Sequence, residues 1–297
     1  MIFRVVIWGA GGGYNRCYTL IKHFEDRGEI SVVGIIADFQ KFGRVSSIDG
    51  YPLYEKKHVQ ELEYDYCIVT IDDFNSIIEE AESLSIPRKR LIPSRVLSVP
   101  YFRFDDYIRL RTDGISIVSI NCFGGICYHY LALEFLSPTI NMFFIDSEFN
   151  RFIENMDYYL SCPVRFEGMR YERNLKRDYP VGLIDDIHVH FNHAVDFDDA
   201  VNEWERRKTR LVDNRLYVSC TQDKDVALRF SRLPFSNKII FVPKEIGVEG
   251  ESIFGVDYHD DTGAVSLGMF INDIANGRLS SVNVFGLCCN QGYDRNT

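Results

Sequence analysis

The chain has 297 residues; 46% are hydrophobic, 26% are charged, and the formal net charge is −10. Roughly two domains are the default for this length. The acidic balance argues against nucleic acid as a partner and against general binding to anionic membranes. No segment has the roughly 20 apolar residues that span a bilayer, so we expect no transmembrane segment. No secretory signal is visible, and eight scattered cysteines without a C-x-x-C pair predict reduced thiols in the cytoplasm.

The first hundred residues alternate between strand and helix patterns. An apolar run, Phe3–Trp8, enters the glycine-rich turn Gly9–Gly13, and a helix is predicted over Tyr14–Asp26. The next predicted elements are strand Ser31–Ala37, extended segment Tyr51–Tyr54, strand Tyr66–Ile71, helix Asn75–Leu84 and short strand Leu91–Pro93. Such alternation predicts a Rossmann-like parallel-sheet domain, which we place at residues 1–102.

A second α/β domain is predicted over residues 103–297, with the aromatic, mixed-charge stretch Pro100–Arg111 interpreted as the connector. Its predicted elements are strand Ile115–Ile120, helix Ile126–Leu133, strand Asn141–Ile145, helix Glu148–Leu160, strand Ile187–Phe191, helix Asp196–Arg210, strand Leu216–Cys220, helix Lys224–Leu233 and strand Lys238–Val242. The fold class is therefore predicted to be α/β throughout.

The first glycine turn predicts a phosphate-binding site, because glycines allow close approach to a ligand and the first helical N–H groups face an anion. Tyr14 occupies the third glycine place of the G-x-G-x-x-G fingerprint, where it would hold the helix away from the strand, so a standard NAD site is in doubt. The alternative is a tight connection without a ligand. The predicted ligand-binding residues, including a ribose-binding carboxylate, are Gly9, Gly11, Gly12, Gly13 and Asp38.

The second glycine turn, which contains Asn121, Cys122, Gly124 and Gly125, is predicted to line a pocket, because open α/β sheets bind ligands beyond the carboxyl ends of their strands. At a helix N-terminus the thiolate of Cys122 would be favoured, which makes this residue a candidate nucleophile. His129 lies two turns along the same helix and is rather far for a base. The alternative is a buried structural cysteine.

An acidic and histidine-rich run follows later in the chain. On a strand, His188 and His190 point to one face together with Asp186, while His193 lies just past the strand end. With Asp185, these groups could act as acid and base, or hold Zn²⁺ or Mn²⁺. No strict metal spacing occurs, so we assign no metal ligand; a half-exposed edge strand is the alternative.

The helix after this run carries three arginines, Arg206, Arg207 and Arg210. Like charges four residues apart repel, so an anionic ligand between two guanidinium groups would relieve them. We therefore predict that they bind phosphate; a solvated face with salt bridges to Glu203 is an equal alternative.

Several of these motifs resemble one family, domain-of-unknown-function family 1919. Members are commonly described as exopolysaccharide biosynthesis proteins, so the resemblance implies a role in surface-glycan synthesis. It covers roughly residues 114–242. The motifs are Ser119–Gly125, Ser137–Thr139, Phe143–Leu160, Tyr179–Gly182, Asp185-Asp186, His193 and the Trp204–Arg210 helix.

The first hundred residues resemble the nucleotide-sugar-binding module of sugar O-acyltransferases. The shared patterns are Ile7–Gly12, Gly34–Asp38 and Tyr64–Val69. The resemblance favours a nucleotide-sugar over NAD as the ligand.

Two functions are predicted. The first is a glycan-biosynthesis enzyme that transfers or modifies a sugar or sugar-phosphate substituent from a nucleotide-linked donor to a glycan acceptor. The second is a non-catalytic nucleotide-sugar sensor or scaffold in polysaccharide assembly. A divalent metal, NAD and a homo-oligomeric state stay open.

Overall fold

The computed structural model describes residues 1–38, 45–172, 176–259, 266–279 and 282–291. It divides into two compact units, Met1–Thr112 and Asp113–Thr297. The domain boundary predicted between residues 102 and 103 falls before this division and stays a prediction. Across the described ranges, no helix is both long enough and apolar enough to cross a membrane. All eight cysteines are free thiols.

The N-terminal unit is built on a mostly parallel sheet. Its strands are β1 (Phe3–Trp8), β2 (Ile30–Ala37), β3 (Ser47–Ile48), β4 (Tyr51–Glu55), β5 (Tyr66–Val69) and β6 (Leu91–Pro93), and its helices are α1 (Gly12–Asp26), α2 (Phe74–Ser83) and α3 (Phe104–Asp113). The strand order is β3-β4-β2-β1-β5-β6, with only β3 and β4 antiparallel in their pairing. β1 lies between β2 and β5, so the order reverses beside β1, as in a Rossmann-like sheet.

Helix α3 replaces the connector that we predicted at Pro100–Arg111. Phe104, Tyr107 and Leu110 are buried at helical spacing, and the Phe104 ring packs 5.4 Å from the ring of Phe3. The stretch was misinterpreted because charged residues separate its apolar positions, which is the pattern of an amphipathic helix.

The C-terminal unit combines a parallel sheet with an antiparallel one, which confirms the α/β class. Its strands are β7 (Ser116–Ser119), β8 (Val164–Glu172), β9 (Arg177–Ile184), β10 (Ile187–His190), β11 (Arg215–Cys220), β12 (Lys238–Pro243) and β13 (Ile253–Val256). The parallel sheet has the order β13-β12-β11-β7 and the antiparallel sheet the order β10-β9-β8. The helices are α4 (Phe123–Leu131), α5 (Asp146–Glu154), α6 (Met156–Ser161), α7 (Phe197–Lys208), α8 (Lys224–Ser231), α9 (Leu267–Ala275) and α10 (Val284–Cys288).

Residues 141–145 connect the two sheets of this unit. Phe143 and His190 exchange two backbone hydrogen bonds of 3.0 Å, and the Phe144 N–H donates to the Ile120 carbonyl at 2.9 Å. The segment was predicted as a strand; it forms only this bridge because Asn141 has a left-handed backbone and α5 begins at Asp146. The bridge makes the carboxyl end of β7 a neighbour of the end of β10.

Four further elements, α5, α6, β8 and β9, differ from the predictions. The helix predicted over Glu148–Leu160 is broken into α5 and α6, because Asn155 leaves the helical conformation (φ −127°, ψ 41°). Strands β8 and β9 were not predicted. Most of β8 is exposed, and a register shift between Phe166 and Gly168 disrupts the alternation that marks a strand.

Gly13 sets the distance between α1 and the end of β5. A Cβ atom at Gly13 would overlap the carbonyl oxygen of Thr70, whereas Gly12 faces open space apart from the Arg16 guanidinium at 3.6 Å. Gly13 therefore performs the close packing that we expected only from the third fingerprint position. We predicted that Tyr14 would hold the helix away from the strand. This prediction is wrong, because the Tyr14 side chain is fully buried.

We expect Gly13→Ala to lower the free energy of unfolding of the N-terminal unit by about 3 kcal/mol, the upper range for overpacking against atoms that cannot move aside. Gly12→Ala, one residue away, is the matched control and should change it by less than about 0.5 kcal/mol. Urea unfolding followed by the fluorescence of Trp8, in a Trp204→Phe background, measures both. Equal stability of the two variants would contradict the packing role of Gly13.

Candidate functional site

The structure brings together Cys122 and His193, which are 71 residues apart in sequence. The Cys122 Sγ atom lies 3.4 Å from His193 Nε2. Cys122 is the N-cap residue of α4, and His193 follows the end of β10. The contact exists because residues 141–145 hold the ends of β7 and β10 side by side. A thiol within reach of an imidazole is the arrangement of an activated nucleophile.

The turn that carries Cys122 is fixed by side-chain hydrogen bonds. The Ser119 hydroxyl donates to the Asn121 carbonyl at 2.7 Å and accepts the Gly124 N–H at 2.9 Å. The Asn121 side chain accepts the Phe123 N–H at 3.0 Å and donates to the Gly268 carbonyl at 2.8 Å. Asn121, predicted to bind substrate, therefore has both of its amide atoms engaged in holding the turn.

The two glycines of this turn have different surroundings. A Cβ atom at Gly124 would lie 2.8 Å from the Ile117 carbonyl oxygen and 2.9 Å from Ser119 Oγ, so only glycine fits there without a shift. A Cβ atom at Gly125 would meet only Ile140, at 3.6 Å. The Gly125 N–H donates to no group in the described ranges, as expected in the first turn of a helix. Gly125 is thus the predicted substrate-binding residue of this turn that keeps a free donor.

Both members of the Cys122–His193 pair are neutral near pH 7. Burial raises the pKa of Cys122 to about 11. Burial, and then the nearby Arg177 guanidinium, lower the pKa of His193 below its usual value. The helix N-terminus was expected to favour the thiolate, and this expectation is wrong because desolvation outweighs it. His193 is therefore able to accept the thiol proton.

His190 is buried beside this pair. Its ring stacks on Phe143 with a centroid distance of 4.4 Å, and its Nδ1 atom lies 3.2 Å from the Tyr179 hydroxyl. Its Nε2 atom is buried and has no hydrogen-bond partner in the part of the chain that the structure describes. Burial, followed by the Arg170 charge, lowers the pKa of His190 to about 4.

Asp185 and Asp186, predicted catalytic residues, lie away from His193. They form the two-residue turn between β9 and β10, and the four residues of β10, about 13 Å at the usual rise, separate them from its other end. The Tyr158 hydroxyl donates to Asp185 at 2.8 Å, and Arg151 pairs with Asp186. These carboxylates therefore have structural partners and do not form one site with His193.

His188, also predicted to be catalytic, lies in the middle of β10. Its N–H donates to one Glu148 oxygen at 2.8 Å, and its Nδ1 atom lies 3.1 Å from the other. Glu148 thus binds the outer edge of β10 at His188, and Phe143 pairs with the same edge at His190, two residues further along the strand. Among the described residues, no three His, Cys, Asp or Glu side chains are grouped so that they could hold a metal ion.

The arginines of α7 are mostly paired within the unit. Glu203 accepts hydrogen bonds from Arg206 at 2.5 Å and from Arg207 at 2.6 Å. Arg207 also donates to the Ile140 carbonyl at 2.7 Å. Arg210 is half-buried after the end of α7. Arg206 and Arg207 therefore form the salt bridges to Glu203 that the sequence analysis gave as the equal alternative to phosphate binding.

The glycine turn of the N-terminal unit lies at the carboxyl end of β1 and the start of α1. Gly9 has φ +102°, and Gly11, the N-cap residue, is exposed. The N–H groups of Gly12 and Gly13 donate to no described acceptor, and Asp38 is exposed directly after β2. Exposed amides at a helix N-terminus suit an anion.

Arg16 lies over the same turn. Its guanidinium would stand 3.6 Å from Cβ atoms at Gly12 and Gly13, and it pairs with the exposed Asp72 after β5. The sequence did not single out Arg16, because its role depends on the side chain extending from the helix back toward the glycines.

These observations define an α/β protein with a Rossmann-like N-terminal unit and a C-terminal unit that carries a thiol–imidazole pair. Residues 94–276 match the family model described as "Domain of unknown function (DUF1919)". The match covers more than half of the chain, so the chain belongs to the DUF1919 family, as the resemblance predicted. The description of this family names no activity.

Residues 1–92 match a different model, "C2185-like, N-terminal". This finding corrects the predicted module: the N-terminal unit is similar to that domain and not to the nucleotide-sugar-binding module of sugar O-acyltransferases. The short patterns at Ile7–Gly12 and Tyr64–Val69 are shared by many parallel-strand domains with a glycine turn, which explains the misassignment.

The chain is also similar to an uncharacterised protein of Haemophilus influenzae. The two are 33% identical over 141 residues, which is 46% of this chain and 65% of the relative. The chain therefore covers less than two thirds of the relative's own length.

We expect acidification from pH 7 to pH 5 to destabilise the C-terminal unit through His190 by about 2 kcal/mol. The unfolded imidazole titrates near its usual pKa of about 6.5, whereas the folded one titrates near 4. The unfolded chain therefore binds more protons in this window. Stability from the neutral imidazole is complete above pH 6.5 and is lost as the pH falls toward 4.

His190→Gln should remove this component, so its loss of stability between pH 7 and pH 5 should be smaller than in the wild-type chain. His129→Gln, on the exposed side of α4, controls for the loss of an imidazole elsewhere. Urea unfolding followed by Trp204 fluorescence measures both. The same pH dependence in His190→Gln and in the wild-type chain would rule the mechanism out.

Proposed function

We propose that this chain is a group-transfer enzyme of glycan biosynthesis. In this proposal the N-terminal unit binds a nucleotide, and the C-terminal unit transfers a sugar or sugar-phosphate substituent through Cys122. The observation that carries the proposal is the 3.4 Å contact between Cys122 Sγ and His193 Nε2. A thiol and an imidazole in contact at the carboxyl end of a parallel strand, where α/β proteins carry their reacting groups, support the roles of nucleophile and base.

The protonation states of Cys122 and His193 support a route through a covalent intermediate. Cys122 begins as a thiol and His193 as a neutral imidazole. As Sγ forms a bond to the phosphorus or anomeric carbon of the substituent, the bond to the leaving group breaks, and Nε2 takes the thiol proton and gives it to that leaving group. An acceptor hydroxyl then attacks the Cys122 adduct while Nε2 removes its proton; the bond to Sγ breaks, and Nε2 returns the proton to Sγ. The free N–H of Gly125 is available to stabilise the developing negative charge.

The proposal for the N-terminal unit depends on the open amides of Gly12 and Gly13 beside the reversal of strand order. The two candidate ligands are a nucleotide-sugar, which the proposed glycan context favours, and NAD. Tyr14 no longer argues against NAD, because Gly13 provides the close packing between helix and strand. The glycan context extends the family resemblance and is part of the proposal.

A small electrophile tests the role of the pair. We expect 4-nitrophenyl acetate to acetylate Cys122 at pH 7.5 at a rate that His193→Gln lowers at least tenfold, since a positioned base contributes about 10²–10⁴-fold. Peptide mass spectrometry locates the acetyl group. Cys162, a half-buried cysteine with no described histidine partner, is the internal reference. An unchanged rate in His193→Gln, or equal labelling of Cys162, would contradict the catalytic proposal.

The second candidate is a non-catalytic nucleotide-sugar sensor or scaffold. One observation favours it: Asp185, Asp186 and His188 do not converge on His193, and each has a partner elsewhere. This candidate predicts that UDP-glucose raises the melting temperature while Cys122 acetylation stays independent of His193. Gly12→Asp, which adds a carboxylate to the turn, should abolish that stabilisation, and Gly12→Ala should preserve it.

A further inference from the structure

Two exposed arginines, Arg170 and Arg177, stand on the antiparallel sheet, and neither forms an ion pair with a residue that the structure describes. Arg170 on β8 is directly opposite Tyr179 on β9, and Glu172 is directly opposite Arg177. Opposed residues share a face of the sheet, and so do residues two apart on one strand. All four side chains therefore lie on one face.

The same face continues to His190. Val181 follows Tyr179 by two residues and is opposite His190 in the β9–β10 pairing. The 3.2 Å contact between the Tyr179 hydroxyl and His190 Nδ1 agrees with this placement. The face that presents Arg170 and Arg177 is thus the face onto which His190 projects.

Arg177 connects this face to the Cys122–His193 pair. Its Nη2 atom donates to the Asn192 carbonyl at 2.9 Å, and Asn192 directly precedes His193. The Arg177 charge also contributes to the lowered pKa of His193, after burial, just as Arg170 does for His190. The charges of Arg177 and Arg170 thus lower the pKa of the two histidines, while the carboxylates of Glu172 and Glu148 act in the opposite direction with smaller effect.

The charge on this face is not compensated as it is elsewhere. Arg151, Arg206 and Arg229 pair with carboxylates, whereas Arg170 and Arg177 form no ion pair with any residue in the described ranges. Glu172 is the carboxylate on this face, and its charge acts on Tyr179 and His193. In a chain of net charge −10, unpaired arginines beside two histidines indicate a place for an anion.

His190 supplies a second, independent indication. It is only 6% exposed, and its Nε2 atom has no partner among the described residues. When the Tyr179 hydroxyl donates to Nδ1, the neutral ring carries its proton on Nε2, and the subsite uses this tautomer. A buried N–H without an acceptor is costly, and an anion oxygen would satisfy it.

We propose that Arg170, Arg177 and His190 form a subsite that binds a phosphate group of the substrate beside Cys122. The proposal rests on the proposed function in that it takes Cys122 as the reacting thiol, and it names the substrate class as a phosphate ester. Planar guanidinium groups match the oxygens of phosphate in pairs.

Two alkylating reagents of different charge test the subsite. Iodoacetate is an anion and iodoacetamide is neutral, and both react with the same Cys122 thiolate. Their rate ratio therefore reports the local charge and is independent of the thiol pKa. The reaction is run at a pH of about 9, where enough thiolate is present, and labelling at Cys122 and Cys162 is followed by peptide mass spectrometry.

We expect the iodoacetate-to-iodoacetamide ratio to be at least about threefold higher at Cys122 than at Cys162, and to fall toward the Cys162 value in the Arg170→Gln/Arg177→Gln double variant. About 0.5 M salt should reduce the difference, because it screens exposed charges. Arg177→Lys should retain most of it. Arg165→Gln is the matched control, since Arg165 lies at the other end of β8 and contacts the Asp185 carbonyl.

A second measurement uses inorganic phosphate and does not depend on Cys122 reactivity. We expect about 10 mM phosphate to raise the melting temperature of the wild-type chain and of Arg165→Gln, and not of the double variant. An equal reagent ratio at both cysteines, together with no phosphate stabilisation, would overturn the subsite. His193-independent acetylation with a positive phosphate result would instead reject the catalytic proposal and leave an anion-binding site.

Discussion

The candidate site of the C-terminal unit depends on one backbone bridge. Phe143 pairs with His190 and Phe144 donates to Ile120, so a short segment holds a parallel sheet and an antiparallel sheet edge to edge. This segment brings the end of β7 next to the end of β10. It therefore brings Cys122 into contact with His193, which is 71 residues away in sequence. Because the bridge is made of main-chain hydrogen bonds, many side chains can change while the contact is kept.

Burial then decides the chemistry of the site. Desolvation raises the pKa of the Cys122 thiol and lowers that of both histidines near it, so all three groups are neutral at neutral pH. The positive charge of the region belongs to arginines, which cannot lose it. A neutral nucleophile and base beside fixed cations suit a reaction in which the substrate brings the negative charge. In the N-terminal unit, the N–H groups of Gly12 and Gly13 at the start of α1 donate to no described acceptor.

Local sequence signals predicted much of the fold. The strand Phe3–Trp8 was predicted to the residue, because a central parallel strand buried on both faces is apolar nearly throughout, and only Arg4 in it is charged and exposed. The two glycine turns were also predicted, since such turns need glycine for steric reasons. Strand β8 was not, because its charged residues and its register shift disguise the period. The Cys122–His193 contact could not be predicted, because no spacing rule encodes which strand ends become neighbours. Reasoning along one strand grouped His193 with Asp186, although the length of β10 separates the two residues.

The central claim is that the Cys122 thiol and the His193 imidazole are in contact and both neutral. The most direct measurement is the pH titration of the His193 imidazole by NMR, before and after alkylation of Cys122 with iodoacetamide. The account predicts a midpoint below the usual value of about 6.5 and a clear change in that midpoint once Sγ is alkylated. A His193 that titrates at the usual value and does not respond to alkylation would contradict the account.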